Sequence, residues 1–295
     1  MASPLVRELL DAGIHFGHRC SRWNPKMAPF IYGRREQIHV IDIRETLRGL
    51  LRARKFIART IGNGGDILFV GTKRQAREIV QRHAERCAMH SVTERWLGGT
   101  LTNFRTIRSR LQRLEELEAL VGSPQWESGY SKKMKAQLSR ELQKIQRNLS
   151  GVRRMNRLPA ALVVVDVRKE VNAVREAQSL EIPTICLIDT DSDPDFADIA
   201  IPGNDDAMRG IEVIVRELAD AVLEGMKARP EPEPSAETRE AASAPSGPAR
   251  RPRRRVGLPR SEGAERPAEI AAAPAATPVP APASVPAPGG EPTPV

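Results

Sequence analysis

The sequence predicts an α/β fold: a parallel sheet with helices on both faces, an inserted antiparallel helical hairpin, and a long C-terminal tail outside the folded part. Three observations predict it. Short, almost wholly apolar runs at Ile67–Val70, Ala161–Val165 and Thr184–Ile188 have the character of strands buried on both faces. The first two are each followed by an amphipathic stretch of helical period, the third by an acidic loop. Between residues 103 and 152 the alternation stops, and two apolar stripes at spacings of three and four take its place.

The elements follow in order. Ser3-Pro4 supplies a cap and a first-turn proline for a short helix that Gly13 closes. A loop rich in Arg, Lys, Pro and Gly comes next. Ile38–Ile43 reads as a strand, and Leu47, Leu50, Leu51, Phe56, Ile57 and Ile61 continue as a helix that stops at Asn63-Gly64-Gly65. After the strand Ile67–Val70, Gly71 turns the chain into a helix reaching about Cys87. The hairpin then carries Ile107, Leu111, Leu114, Leu117 and Val121 on its first helix. Met134, Leu138, Leu142, Ile145 and Leu149 line the second, with a bend at Gly122-Ser123-Pro124 and Gly129. Ala161–Val165 and Thr184–Ile188 each lead on to a helix or an acidic loop. A last short strand precedes a helix for which Asp205 or Asp206 is the expected cap, ending near Gly225. The organisation is an α/β domain at 1–102 and 153–228, a hairpin at 103–152 and a tail at 229–295.

Of the 295 residues, 46 are Lys or Arg and 37 are Asp or Glu, a formal charge of +9 that points to a polyanionic partner. The tail holds nine Arg, eight Glu and 16 of the 24 prolines with no aromatic residue, so it is expected to be disordered and nearly neutral. Most of the positive charge therefore belongs to the folded part. Cys20, Cys87 and Cys186 are few, odd in number and far apart, which argues against a disulfide framework and for a reducing compartment. No apolar run is long enough for a bilayer, and SPLVRELLDAG lacks the layout of a signal peptide, so cytoplasm is the expectation.

Three constellations could carry chemistry. Asp189, Asp191, Asp193 and Asp195 alternate after a strand, as metal ligands or a phosphatase nucleophile would. A calcium loop fails, because Pro194 stands where the sharp turn needs glycine, and no Thr-then-Lys pair follows to steady a phosphoryl group. His15, His18 and Cys20 are soft-metal ligands without a fourth ligand at zinc-like spacing, although Cys87 or Cys186 could reach them, so a structural zinc is the alternative to no cofactor. Gly71-Thr72-Lys73-Arg74 opens a helix and could hold one phosphate on backbone N–H groups.

Basic residues recur beside aromatic or glycine-rich loops, and they are the candidate RNA-binding set: Arg19, Arg22, Trp23 and Lys26, then Lys73 and Arg74, then Arg95 and Trp96, with Arg153 and Arg154 later. On the hairpin Arg105, Arg108, Lys132 and Lys133 join them. Aromatic residues make up only 4% of the chain, so contacts to phosphate and to the shape of folded RNA are expected rather than base stacking.

The segments AGIHFGHRCSRWNPKMAPFIYG, IHVIDIRETL, ILFVGTKRQA, RWLGGTLTNFRTIRSRL, LPAALVVVD, IPTICLIDTDSDPD and IPGNDDAMRGI, in this order from about Leu9 to Gly225, resemble the ribosomal protein S-two family of the bacterial small subunit. The resemblance implies a Rossmann-like (flavodoxin-like) sheet without a nucleotide, interrupted by an antiparallel coiled coil. It implies no catalytic activity, no small-molecule substrate and no membrane. The implied partners are ribosomal RNA, neighbouring small-subunit proteins and the OB-fold ribosomal protein S-one. It makes Gly98 and Gly99 a structural corner entering the hairpin, with Thr102 or Asn103 as its cap. Asp191 stands where this family more often has Asn, and Val167-Arg168 replaces a commoner proline-containing turn. Residues 250 to 255, Arg-Arg-Pro-Arg-Arg-Arg, could add weak RNA binding. The function expected is a structural, RNA-binding constituent of the small subunit. Its rivals are a metal-dependent phosphatase using the Asp-rich loop and an RNA-binding protein outside the ribosome.

Overall fold

In a computed structural model, residues 4–123, 126 and 129–228 are described. Ser3, Pro124 and the whole tail, 229–295, lie outside them, and so do the expectations placed there. Helix α1 (Pro4–Asp11) leads into three short strands, β1 (Phe16–Arg19), β2 (Ile31–Arg35) and β3 (Ile38–Ile41), which form an antiparallel sheet in the order β1-β3-β2. This corrects two expectations. The Arg- and Gly-rich stretch is not simply loop, and Ile38–Ile43 does not join the parallel sheet. Its burial shows why: Ile38 is exposed and His39 and Val40 are half-buried, as in a sheet with one wet face. Asp42 ends that strand by accepting a hydrogen bond from the Arg44 N–H at 2.9 Å, which starts helix α2 (Ile43–Gly62).

The main sheet contains β4 (Ile67–Val70), β5 (His90–Val92), β6 (Ala161–Val165), β7 (Thr184–Ile188) and β8 (Ile199–Pro202), all parallel and ordered β5-β4-β6-β7-β8. Counted along the chain this is the order 2-1-3-4-5 of flavodoxin-like sheets, with its switch point between β4 and β6. Every residue of β4, β6 and β7 is buried, which explains their unbroken apolar sequence. Successive side chains divide between two cores. Ile67 and Phe69 pack with α2, with α3 (Arg74–Arg86) and with the C-terminal helix; Leu68 and Val70 pack on the opposite face.

On that opposite face lie α6 (Val171–Ser179) and the root of two 18-residue helices, α4 (Phe104–Val121) and α5 (Lys132–Leu149). Ile107, Leu111, Leu114, Leu117 and Leu149 are buried, whereas Val121 and Met134, at the far end, are exposed. The returning chain passes so close to β5 that a Cβ on Gly151 would lie 2.2 Å from the Ser91 carbonyl oxygen. The last helix, α7 (Met208–Lys227), lies against α2. Neither Asp205 nor Asp206 caps it; Ala207 holds that position, and Asn204 Oδ1 accepts the N–H groups of Asp206 at 2.8 Å and Ala207 at 3.1 Å. Among the described residues no helix is long and apolar enough to cross a membrane.

Candidate nucleic-acid interface

In a doubly wound sheet a ligand binds at the carboxyl ends of the strands beside the switch point. Here that edge carries Thr72 and Lys73 after β4, Asp166 after β6, Asp189 and Asp191 after β7, and Asp205 and Asp206 after β8. Lys73 Nζ sits 2.7 Å from Asp205, 2.6 Å from Asp206 and 3.6 Å from Asp166. Burial alone would lower the Lys73 ammonium, but the bonds it donates to Asp205 and Asp206 and the charges of Asp205 and Asp166 outweigh it and hold the group above its ordinary range. Burial and the neighbouring Asp166 push the Asp205 carboxyl up to about 7, with Lys73 pulling the other way. Lys73 is thus consumed inside the protein, and only Arg74 of that pair is exposed.

The phosphate position at the start of α3 is also filled. Glu170 accepts the Thr72 N–H at 3.1 Å together with the Thr72 hydroxyl, so an internal carboxylate stands where a ligand anion would. Its burial raises the carboxyl, against the two bonds from Thr72.

The expected metal set does not assemble. Among the described residues His18 groups instead with Asp189 and Asp205, their ligand atoms within 4.8 Å of one another. His18 Nδ1 lies 3.0 Å from Asp189 Oδ2, a partner that raises the imidazole to about 9 against the opposing effect of burial. A protonated His18 and the Lys73 ammonium supply the positive charge that a metal ion would bring. Asp189 is buried and accepts the Thr190 hydroxyl at 3.1 Å, which suits a structural carboxylate rather than an exposed nucleophile. Cys87 and Cys186 are buried, and burial raises both thiols.

The RWLGGTLTN segment forms the second filled anion cradle. Glu176, on α6, accepts the Trp96 indole N–H at 3.0 Å, the N–H groups of Gly99 at 2.8 Å, Leu101 at 3.0 Å and Thr102 at 3.2 Å, and the Thr102 hydroxyl. Burial raises the Glu176 carboxyl, but those donors outweigh it and leave the group below its usual range. Gly99 needs to be glycine, since its φ is +86° and a Cβ there would lie 3.2 Å from Asn103; Gly98 sits in open space. Asn103 takes the cap position of α4 without a side-chain cap bond, and Trp96 is held in the core. Glu170 and Glu176 are functional neighbours that the sequence reading missed.

The other candidates separate into paired and unpaired cations. Lys26 Nζ lies 2.8 Å from Asp193 and 2.5 Å from Asp195, and Arg153 binds Glu118 through both terminal nitrogens. Arg19, Arg22, Arg105, Lys132, Lys133 and Arg154 are exposed, with no ion pair among the described residues; Arg108 donates only to the Asn156 carbonyl. Arg95 gains neighbours that its local sequence does not show. With Arg77, Arg140, Lys144, Arg147 and Glu94 it lines a trough of about 570 Å³ at the hairpin root. Among the described residues Glu94 is the trough's one carboxylate, held by Arg77 at 3.3 Å and Arg147 at 2.7 Å, and Arg95, Arg140 and Lys144 have no ion pair.

A family model described as Ribosomal protein S2 matches residues 9–225. The chain is 61% identical over 225 residues to the small ribosomal subunit protein uS2 of Rhodopirellula baltica, covering 76% of this chain and 86% of that protein. It is 51% identical over 245 residues to the protein of the same name from Thermus thermophilus, covering 82% of this chain and 95% of the relative.

Proposed function

The chain belongs to the ribosomal protein S2 family, and from that premise we propose that it is a structural constituent of the small ribosomal subunit that binds ribosomal RNA in the cytoplasm and catalyses nothing. The observation that carries the RNA reading is the trough: three unneutralised cations from two elements, Arg95 beside β5 and Arg140 and Lys144 one turn apart on α5, converge on one concave surface. That spacing suits the phosphate oxygens of a folded RNA backbone, which bind without base contacts. The buried stripe of α4, faced by the half-buried Leu138, Leu142 and Ile145 of α5, supports reading residues 103–152 as an inserted antiparallel coiled coil that presents Lys132, Lys133, Arg105 and Arg108 beyond the α/β domain. Docking of ribosomal protein S-one, and contact with neighbouring subunit proteins, belong to the same reading and rest on the family.

Reversing the trough tests it. Arg140→Glu with Lys144→Glu is expected to reduce incorporation into the small-subunit fraction of a sucrose gradient about 30-fold at low salt, the gap to the parent narrowing as salt is raised, with the urea midpoint unchanged. Equal incorporation of variant and parent would remove the trough from the interface. Absence of the parent itself from that fraction would favour a free RNA-binding protein. Subunits that lack this chain are expected to lose S-one as well, which quantitative mass spectrometry reads.

A further inference from the structure

The small antiparallel sheet and its loops collect what the rest of the surface lacks. Of the eleven aromatic side chains, only Phe16, Trp23 and Tyr32 are exposed, and all three fall between residues 16 and 32. Tyr32, 77% exposed, lies where the register between β2 and β3 shifts by one residue, a bulge that re-aims side chains. Arg19, Arg22 and Arg34 stand among these rings with no ion pair among the described residues, and Arg35 has only Glu36 at 3.9 Å.

Beside this group opens a cavity of about 550 Å³ lined by Ser21, Arg22, Trp23, Arg168 and Asp191. Trp23 is held at its rim by the His39 ring, with centroids 5.1 Å apart, while remaining 39% exposed. Asp191 is fixed by Arg168 at 2.6 Å. The cavity therefore offers an aromatic face, the Arg22 guanidinium with no ion pair among the described residues, and the Arg168–Asp191 pair as a polar wall.

We propose that this cavity binds one unpaired RNA nucleotide, with its base against the Trp23 indole, its phosphate on Arg22, and the Arg168–Asp191 pair as the polar wall beside the base edge. The inference deepens the RNA reading above and rests on it, but concerns single-stranded rather than folded RNA. A flat ring beside arginines is the combination with which proteins hold unstacked bases. An acidic peptide could use Arg22 but would leave the indole without a role. The chain's low aromatic content argues against stacking only when averaged; its exposed aromatics are concentrated at one place.

The test titrates the full chain against a labelled hexa-adenylate and, separately, a blunt RNA duplex, reading fluorescence anisotropy. Trp23→Leu keeps bulk without a π face, and Trp23→Phe keeps a smaller one. Hexa-adenylate affinity is expected to fall about tenfold in Trp23→Leu and less in Trp23→Phe, while duplex affinity stays at the parent value in both. Equal hexa-adenylate affinity in parent and Trp23→Leu overturns the proposal, and so does a parent that binds the duplex but not the hexamer, or an acidic peptide that displaces the hexamer from Trp23. A parent that binds neither RNA overturns the broader reading with it.

Discussion

The carboxyl edge of the main sheet and the trough at the hairpin root both carry clustered cations, yet only the trough has charge to spare. At the sheet edge Lys73 meets Asp166, Asp205 and Asp206, and the N–H groups that could grip a phosphate are given to Glu170. In the trough one carboxylate, Glu94, is already shared by two arginines, so Arg95, Arg140 and Lys144 are left over. The comparison teaches that a count of basic residues does not measure a nucleic-acid surface; what counts is the positive charge not already met by the protein's own acids. At Thr72 and Lys73 the sheet edge has closed its ligand position with internal carboxylates, and the cations without an acidic partner stand elsewhere.

The largest effect that would sharpen this contrast is at Lys73. Lys73→Met leaves Asp205 and Asp166 facing each other in the interior, and is expected to cost about 3 kcal/mol in urea unfolding. RNA affinity, measured below the melting transition, is expected to stay at the parent value. A stable variant with weakened RNA binding would reverse the roles assigned to the two regions.

The next effect concerns the second internal anion. Glu176→Gln cannot satisfy the converging donors of Trp96, Gly99, Leu101 and Thr102, and should lower stability by about 2 kcal/mol, read by thermal or urea melts. An unchanged melt would mean that the glycine corner holds itself.

The sheet edge should also respond to pH. His18 is raised in the folded chain to about 9, above its unfolded value near ~6.5, so its contribution is complete below that unfolded value and lost as pH climbs through about 9. Asp205, at about 7, has ionised before this window ends. Stability should therefore fall between roughly pH 7 and 9 by on the order of 2 kcal/mol after solvent screening, and His18→Gln should flatten that slope. A parent whose unfolding midpoint is constant over this range would contradict the assigned His18–Asp189 pair.

The smallest effect is at the start of α5. Lys132→Glu with Lys133→Glu places acids in the first turn of α5, where the helix dipole favours them, so any loss cannot come from a weakened helix. Incorporation should drop about threefold at low salt, and raised salt should narrow the difference from the parent. No change would confine the hairpin's contacts to its root.

Much of this architecture could be read from the sequence. Strands β4, β6 and β7 are buried on both faces and therefore apolar throughout, and the stripe Ile107, Leu111, Leu114, Leu117 showed the first hairpin helix. Strands β1 and β2 escaped because their exposed Arg and Gly positions resemble a loop, and β5 because three residues, His90 to Val92, give no periodicity. Exposure of Arg105, Lys132 and Lys133 followed from their helix faces. The pairing of Lys73 did not, because its partners arrive from β6 and β8, over ninety residues later. One signal was available: β6 and β7 are each followed at once by Asp, which puts carboxylates on the edge where Lys73 emerges. Nothing in VNAVREAQS marks Glu176 as the anion for a loop more than seventy residues earlier.

The most direct test of where the free charge lies is the salt dependence of duplex RNA affinity for the parent, for Lys73→Met, and for Arg140→Gln with Lys144→Gln. The slope of log affinity against log salt should be the same for parent and Lys73→Met and shallower by about two for the trough variant. A slope that flattens for Lys73→Met and stays steep for the trough variant would contradict the account.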